Sequence, residues 1–254
     1  MMSGLADALS RHDALTIAVS GGVDSMTLAH VAHAVLEDRA RMVHAISPAV
    51  PELATRRVRE HATRAGWRLD IVDAGEFQDP RYRANPVNRC FFCKSNLYST
   101  IAGLTEGRIA SGTNTDDLGD FRPGLEAAQH WRVVHPYVEA GLDKSAVYAL
   151  ARELRLGDLA ALPAQPCLAS RIETDIAVTA DDLAFVDLVE TLVRAELGPS
   201  ATVRCRITHA GVIIETEAGV LPAVDLARVC HESGRVYLGH RPYRRGAAFL
   251  RAAE

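Results

Sequence analysis

Residues 15–37 read LTIAVSGGVDSMTLAHVAHAVLE, an apolar run that passes through a glycine pair into a helical pattern. Leu15–Ser20 is short, apolar and closed by small residues, which predicts a buried strand. From Ser25 to about Glu37 apolar residues recur at helical spacing, with Asp24 and Ser25 placed to cap the start. A buried strand joined to a helix by so tight a turn is the first half of a βαβ unit, and this constrains the fold more than any other feature. The rhythm then repeats. Arg41–Ile46 reads as a second strand, and Pro51, suited to a first helical turn, opens a helix to about Ala65. Arg68–Val72 reads as a third strand. A helix from about Lys94 to Gly103 leads into a fourth at Arg108–Ser111. The alternation predicts an α/β fold, a parallel sheet with helices on both faces.

Past about Asp175 the pattern changes. A long helix at Ala180–Leu197 is expected to precede short strands near Val203–Thr208 and Val212–Thr216, then a helix near Pro222–His231 and a last strand at Val236–Leu238. The expected organisation is a nucleotide-type domain over residues 1–175 and a smaller α+β unit over 176–254.

The formal net charge of −4 and the ordinary 24% of charged residues argue against broad nucleic-acid binding. No run approaches the roughly 18 apolar residues of a membrane helix. The opening MMSGLADALSRHD has no basic segment followed by an apolar one, so no secretory signal and a cytoplasmic location are expected. Five cysteines without an export signal do not suggest a disulfide framework. For Cys205 and Cys230, which have no clustered partners in sequence, plain burial suffices.

Ser20-Gly21-Gly22-Val23-Asp24-Ser25 lies where α/β sheets bind ligands. Its glycines let backbone N–H groups approach phosphate oxygens, its serines add donors, and the helix start adds a positive dipole end. The lysine of GxxxxGK[ST] is missing, so this is not a Walker loop. A small-residue β-to-α turn is the bland alternative. SGGxDS after a strand is similar to the loop of the PP-loop, or N-type, ATP pyrophosphatases. That likeness implies cleavage of ATP between its α- and β-phosphates and transfer of AMP to a substrate oxygen. Adenylation makes sense chemically, because it turns a very poor leaving group into AMP, whose charge fixed donors and Mg2+ can stabilise.

Cys90-Phe91-Phe92-Cys93 is a CxxC at the head of a predicted helix, and Cys167 stands in Pro166-Cys167-Leu168-Ala169-Ser170-Arg171. Zinc with a further ligand such as His135, a 4Fe–4S cluster with one open position, and unligated core thiols are all compatible with this set.

SGGVDS, NPVNRCFFCKSNLY (Asn85–Tyr98), SGTNTDDLGDFRPG (Ser111–Gly124), EAGLDK (Glu139–Lys144) and PCLASRI (Pro166–Ile172) occur in that order. Together, over about residues 15–206, they resemble the ATP-dependent sulfur transferases of the LarE family, which serve synthesis of the nickel-pincer nucleotide cofactor of lactate racemase. The resemblance implies a small nucleotide substrate, pyridinium-3,5-biscarboxylic acid mononucleotide, whose carboxylates are adenylated and converted to thiocarboxylates. One branch of the family uses a cysteine matching Cys167 as a sacrificial sulfur donor. Another carries three cysteines, matching Cys90, Cys93 and Cys167, on a 4Fe–4S cluster that receives its sulfur from a sulfide donor. This chain looks like the second branch. A homo-oligomer is expected by analogy.

Further site residues follow. Ser20, Gly21, Gly22, Asp24, Ser25, Asn114 and Asp117 are expected to bind ATP, with Asp116, Asp120 and Arg122 in the same loop. Ser170 and Arg171 suit a phosphate or the carboxylate under attack, and with Cys167 and Asp24 form the expected catalytic set. Arg204 and Arg206 share one strand face and suit a substrate phosphate. Glu190 matches an acidic family position and suits Mg2+. The chain departs from the family after Arg206, where ITHAGVIIETEAG lacks an arginine–glutamate pair, and at RPYRRGAAF (Arg241–Phe249). Competing readings are a tRNA thiolase with an iron–sulfur cluster, which needs a basic face; an amidating PP-loop synthetase, which leaves the cysteines unexplained; and a zinc-stabilised binding module.

Overall fold

The computed structural model describes residues 1–243 apart from 120, 121, 199, 218, 219 and 221. Helix α1 (Met2–Ser10) leads into β1 (Leu15–Ala18), α2 (Val23–Leu36), β2 (Ala40–Ile46), α3 (Glu52–Ala65) and β3 (Arg68–Asp73). The short α4 (Pro80–Arg83) and α5 (Arg89–Ala102) precede β4 (Arg108–Ala110). These four strands form one parallel sheet in the order β3-β2-β1-β4. The order reverses between β1 and β4, so a crevice opens at their carboxyl ends, where such sheets take their ligands.

Leu15 and Ile17 pack on one face with Met26, Ala29 and Val58, while Val43 and Ile109 pack on the other with Tyr98 and Ile101. Burial on both faces explains why β1 reads as an apolar run rather than an alternating one. Helix α2 is buried almost all round, with Met26, Leu28, Ala29 and Ala32 fully enclosed. Each large apolar side chain so enclosed contributes about 1.5–3 kcal/mol. The sheet is therefore a stiff floor under the loop that opens α2.

After β4 come α6 (Pro123–His130), α7 (Pro136–Glu139), α8 (Lys144–Glu153) and α9 (Gly157–Ala160), which the apolar pattern of the sequence did not announce. Asp143 starts α8 by accepting the Ala146 N–H at 2.7 Å.

The second unit carries α10 (Ala180–Leu197), β5 (Val203–Thr208), β6 (Gly211–Thr216), α11 (Leu226–Glu232) and β7 (Tyr237–Pro242). Its sheet runs β5-β6-β7, antiparallel then parallel. Thr179 caps α10 by accepting the Asp182 N–H at 3.1 Å. Helix α11 starts four residues later than Pro222, because Asp225 supplies its cap to Arg228 N–H. Helix α5 starts a turn earlier than Lys94, so Cys90 and Cys93 both lie within it.

The second core includes Leu168, Ala169 and Ile172, and Ala49, Tyr82, Phe92 and Cys93 also reach it. Ile172 bridges to Ile207 of β5, and the Glu173 N–H donates to the Ile207 carbonyl at 2.9 Å. The segment bearing Cys167 is thus anchored to both units. No helix among the described residues is long and apolar enough to cross a membrane.

Candidate functional site

The loop after β1 forms by local bonding. Gly21 has φ +82°, and a Cβ there would lie 2.8 Å from the Ala54 carbonyl oxygen, so position 21 admits glycine for conformation and for space. The Ser25 hydroxyl accepts the Ser20 N–H at 3.0 Å, meets the Ser20 hydroxyl at 3.1 Å and donates to the Gly22 carbonyl at 3.3 Å. Gly22 caps α2 without a side-chain hydrogen bond. The first N–H groups of α2 are therefore left for a ligand, with the positive end of the helix dipole behind them. Gly112, just past β4, packs against this turn; a Cβ there would sit 2.7 Å from the Ser25 nitrogen.

Asp24 is surrounded by donors. Lys144 Nζ pairs with its Oδ2 at 2.5 Å, Asn114 Nδ2 donates to its Oδ1 at 3.3 Å, and the Tyr137 hydroxyl donates to its backbone carbonyl at 3.0 Å. Asn114 in turn accepts the Asp116 N–H through Oδ1, and Asp117 accepts the Asn114 N–H and pairs with Arg122 at 2.8 Å. Asp120 lies outside the described residues. Ser111 links to Thr113 and His135, each at 2.9 Å, and burial lowers the His135 pKa from its ordinary value. His135 thus sits beside the Ser20–Ser25 loop. Lys144 belongs to EAGLDK, and the proline-bounded segment before it gave no sign that its ammonium would reach Asp24.

Cys90 and Cys93 are half-buried on α5, and Cys167 is exposed at the start of the turn Leu168–Arg171. Arg89 fixes the approach of these segments by donating to the Ala169 carbonyl at 3.0 Å and to Asn85 Oδ1. Burial, reinforced by the charge of Cys167, raises the Cys90 pKa, and burial pushes Cys93 up to about 12. All three thiols lie within electrostatic reach of one another. Among the described residues, no three His, Cys, Asp or Glu side chains converge as the ligand set of a metal ion.

Arginines hold the Cys167 segment in place. Arg171 donates to the Pro166 carbonyl at 2.7 Å, the Cys167 carbonyl at 3.1 Å and the Ser170 hydroxyl at 3.0 Å. Arg204 donates to the Ala164 carbonyl and Arg206 to that of Ser170, each at 2.8 Å. Arg171 also forms a two-bond pair with buried Glu190, at 2.7 and 2.9 Å. Arg194 and the Cys205 N–H complete the Glu190 shell at 2.6 and 3.1 Å, so both its oxygens are engaged within the protein. Arg206 pairs with Glu215 at 2.8 Å. Among the described residues Arg204 donates to the backbone carbonyls of Val203 and Ala164, and burial lowers its pKa to about 10. Of the two arginines on β5, Arg204 thus has no carboxylate bonded to it among the described residues.

The structure thus gathers the expected residues in two groups. Ser20–Ser25, Asn114 and Asp117 surround the carboxyl ends of β1 and β4. Cys90, Cys93, Cys167, Ser170, Arg171, Glu190, Arg204 and Arg206 lie where α5 meets the second unit. The altered C-terminal string is described only to Tyr243; residues 244–249 lie outside the described residues.

No family model matches the chain. It is 36% identical over 186 residues to the uncharacterized protein slr1717 of Synechocystis sp., covering 72% of this chain and 69% of that protein. It is 23% identical over 233 residues to the uncharacterized protein MJ0830 of Methanocaldococcus jannaschii, covering 90% and 85%. It is 26% identical over 205 residues to the pyridinium-3,5-bisthiocarboxylic acid mononucleotide synthase of Lactiplantibacillus plantarum, covering 79% and 74%.

Proposed function

This chain belongs to the family of the Synechocystis protein slr1717, and from its Ser20–Ser25 loop and its more distant likeness to the Lactiplantibacillus synthase we propose that it is a PP-loop, ATP-dependent sulfur transferase acting on a nucleotide carboxylate. Its acceptor in this reading is pyridinium-3,5-biscarboxylic acid mononucleotide. The observation that carries the reading is the pairing of an open phosphate loop with an exposed cysteine on an arginine-pinned segment between the two units.

The substrate carboxylate attacks the α-phosphorus of ATP, and pyrophosphate leaves. The loop N–H groups, Ser20, Ser25 and the start of α2 stabilise the phosphate charge, and Mg2+, when bound with the nucleotide, would neutralise part of it. Sulfur then attacks the acyl carbon and AMP departs. If Cys167 is the donor, its sulfur forms a thioester; loss of the Cα proton and cleavage of the Cβ–S bond release the thiocarboxylate and leave dehydroalanine. Arg171 and Ser170 orient this segment. A 4Fe–4S cluster held by Cys90, Cys93 and Cys167 would, when bound, supply sulfide without consuming a cysteine.

Anaerobic purification with iron and sulfide analysis, for wild type and Cys167→Ala, tests the donor. About four irons per chain, lost in the variant, favours the cluster. A metal-free protein that loses about 34 Da at Cys167 after one turnover favours the sacrificial route. Failure of ATP to yield AMP and pyrophosphate with any nucleotide carboxylate rejects the sulfur-transferase reading.

A further inference from the structure

Cleavage of ATP between its α- and β-phosphates releases a highly charged pyrophosphate, and a site that promotes it needs positive charge near the leaving group. The Ser20–Ser25 loop contains hydroxyls and backbone donors but no cation, and Lys144 beside it is already committed to Asp24.

Arg57 is a cation not yet accounted for. It lies on α3, whose first turn closes against Gly21 through Ala54. Its Nη1 donates to the Gly21 carbonyl at 2.7 Å and to Gln165 Oε1 at 3.3 Å. Those are its bonds among the described residues, so Nε and Nη2 are uncommitted. The acids that act on it, Asp158 and Glu60, do so through space without an ion pair, and burial holds its pKa below the ordinary arginine value. A half-buried guanidinium without a paired carboxylate has desolvation uncompensated by its own protein. An anion in the adjoining loop would supply the missing counter-charge, and a planar fork with two free donor groups suits phosphate oxygens.

We propose that Arg57 binds the pyrophosphate end of ATP in this loop and, through Gln165, ties occupancy of the phosphate site to the position of the Cys167 segment. The inference rests on the ATP-dependent reading of the same loop. Gln165 stands two residues before Cys167 in sequence, and its oxygen shares Arg57 Nη1 with the Gly21 carbonyl. Phosphates that fix the guanidinium plane therefore fix the Gln165 side chain as well.

The test is calorimetric titration of the full chain with Mg2+ and ATP, pyrophosphate or AMP, using wild type, Arg57→Gln, Arg57→Lys and Gln165→Ala. Arg57→Gln should weaken ATP and pyrophosphate on the order of tenfold while AMP changes by less than about twofold. Arg57→Lys should recover part of the loss, as charge without the fork. In parallel, pyrophosphate should alter the rate of Cys167 alkylation in wild type, and that response should vanish in Arg57→Gln and Gln165→Ala. Equal pyrophosphate affinity in wild type and Arg57→Gln, or equal loss of AMP and pyrophosphate, overturns the phosphate role. An unchanged alkylation response in Gln165→Ala overturns the tie to Cys167. A wild-type protein that binds none of the three ligands overturns the nucleotide reading itself, and the inference with it.

Discussion

The Lys144 ammonium closes on the Asp24 carboxylate across the opening of the phosphate loop, joining the start of α8 to the start of α2. Both side chains are about 30% exposed, so the pair is neither a loose surface contact nor a buried one. In the proposed ATP-dependent reading, it would keep a carboxylate next to the triphosphate without leaving its full negative charge to repel the ligand. Replacing Lys144 with Met should raise the KM for ATP about tenfold, an effect that weakens with added salt. The check is ATP–pyrophosphate exchange at two ionic strengths. An unchanged KM would mean that Asp24 is screened by other groups.

Glu190 makes the complementary case, a carboxylate whose work lies inside the protein. It is fully buried between Arg171 and Arg194 and also accepts the Cys205 N–H. Burial alone would raise its pKa, but Arg171 and then Arg194 overcome this and hold it below the usual glutamate value. Glu190→Gln would leave a buried arginine charge uncompensated and should destabilise the chain by about 3–5 kcal/mol. Urea unfolding gives this directly, and a loss under about 1 kcal/mol would show that water relaxes into the pocket.

The sequence made some of this visible and hid the rest for physical reasons. Strands such as Leu15–Ala18, buried on both faces, announce themselves as apolar runs, and the helix Ala180–Leu197 carries its own cap at Thr179. Proline-bounded α6 and α7 are too short to show helical periodicity. Local motifs likewise singled out Cys90, Cys93 and Cys167. The role of Lys144 was hidden because Asp24 is 120 residues away in the chain. The buried pairing of Glu190 with Arg171 is hidden as well, since a charge on a helix looks the same whether it faces solvent or Arg171.

Away from the site, His30, His61 and Asp158 form a chain of hydrogen bonds between α2, α3 and α9, at 2.8 and 2.7 Å. Burial, followed by the charges of His61 and Arg64, lowers the His30 pKa to about 4, with His33 acting in the same direction and Asp158 against it. In the unfolded chain this histidine titrates near its ordinary 6.5. Between those values the unfolded state holds more protons, so stability should fall as pH drops from about 6.5 towards 4 and stay flat above. His30→Gln should lower stability at neutral pH yet flatten that slope. Thermal unfolding across the window, for both proteins, decides it; equal slopes would assign the acid sensitivity elsewhere.

The thiols themselves should differ sharply in reactivity. Only the thiolate reacts with an alkylating agent, and Cys93, pushed up to about 12, exposes about one thiolate in ten thousand at pH 8. Cys90 is shifted in the same direction by burial and by Cys167, while Cys205 and Cys230 are fully buried. Cys167 is exposed at the segment held by Arg171. Metal-free protein treated briefly with iodoacetamide at pH 8 should therefore carry its label at Cys167, at least tenfold ahead of any other site by peptide mass analysis. Cys93 labelling at a comparable rate would mean that a nearby cation, Lys94 in the first instance, holds its thiolate more strongly than burial opposes it. That outcome would move the nucleophile of the site from Cys167 to α5.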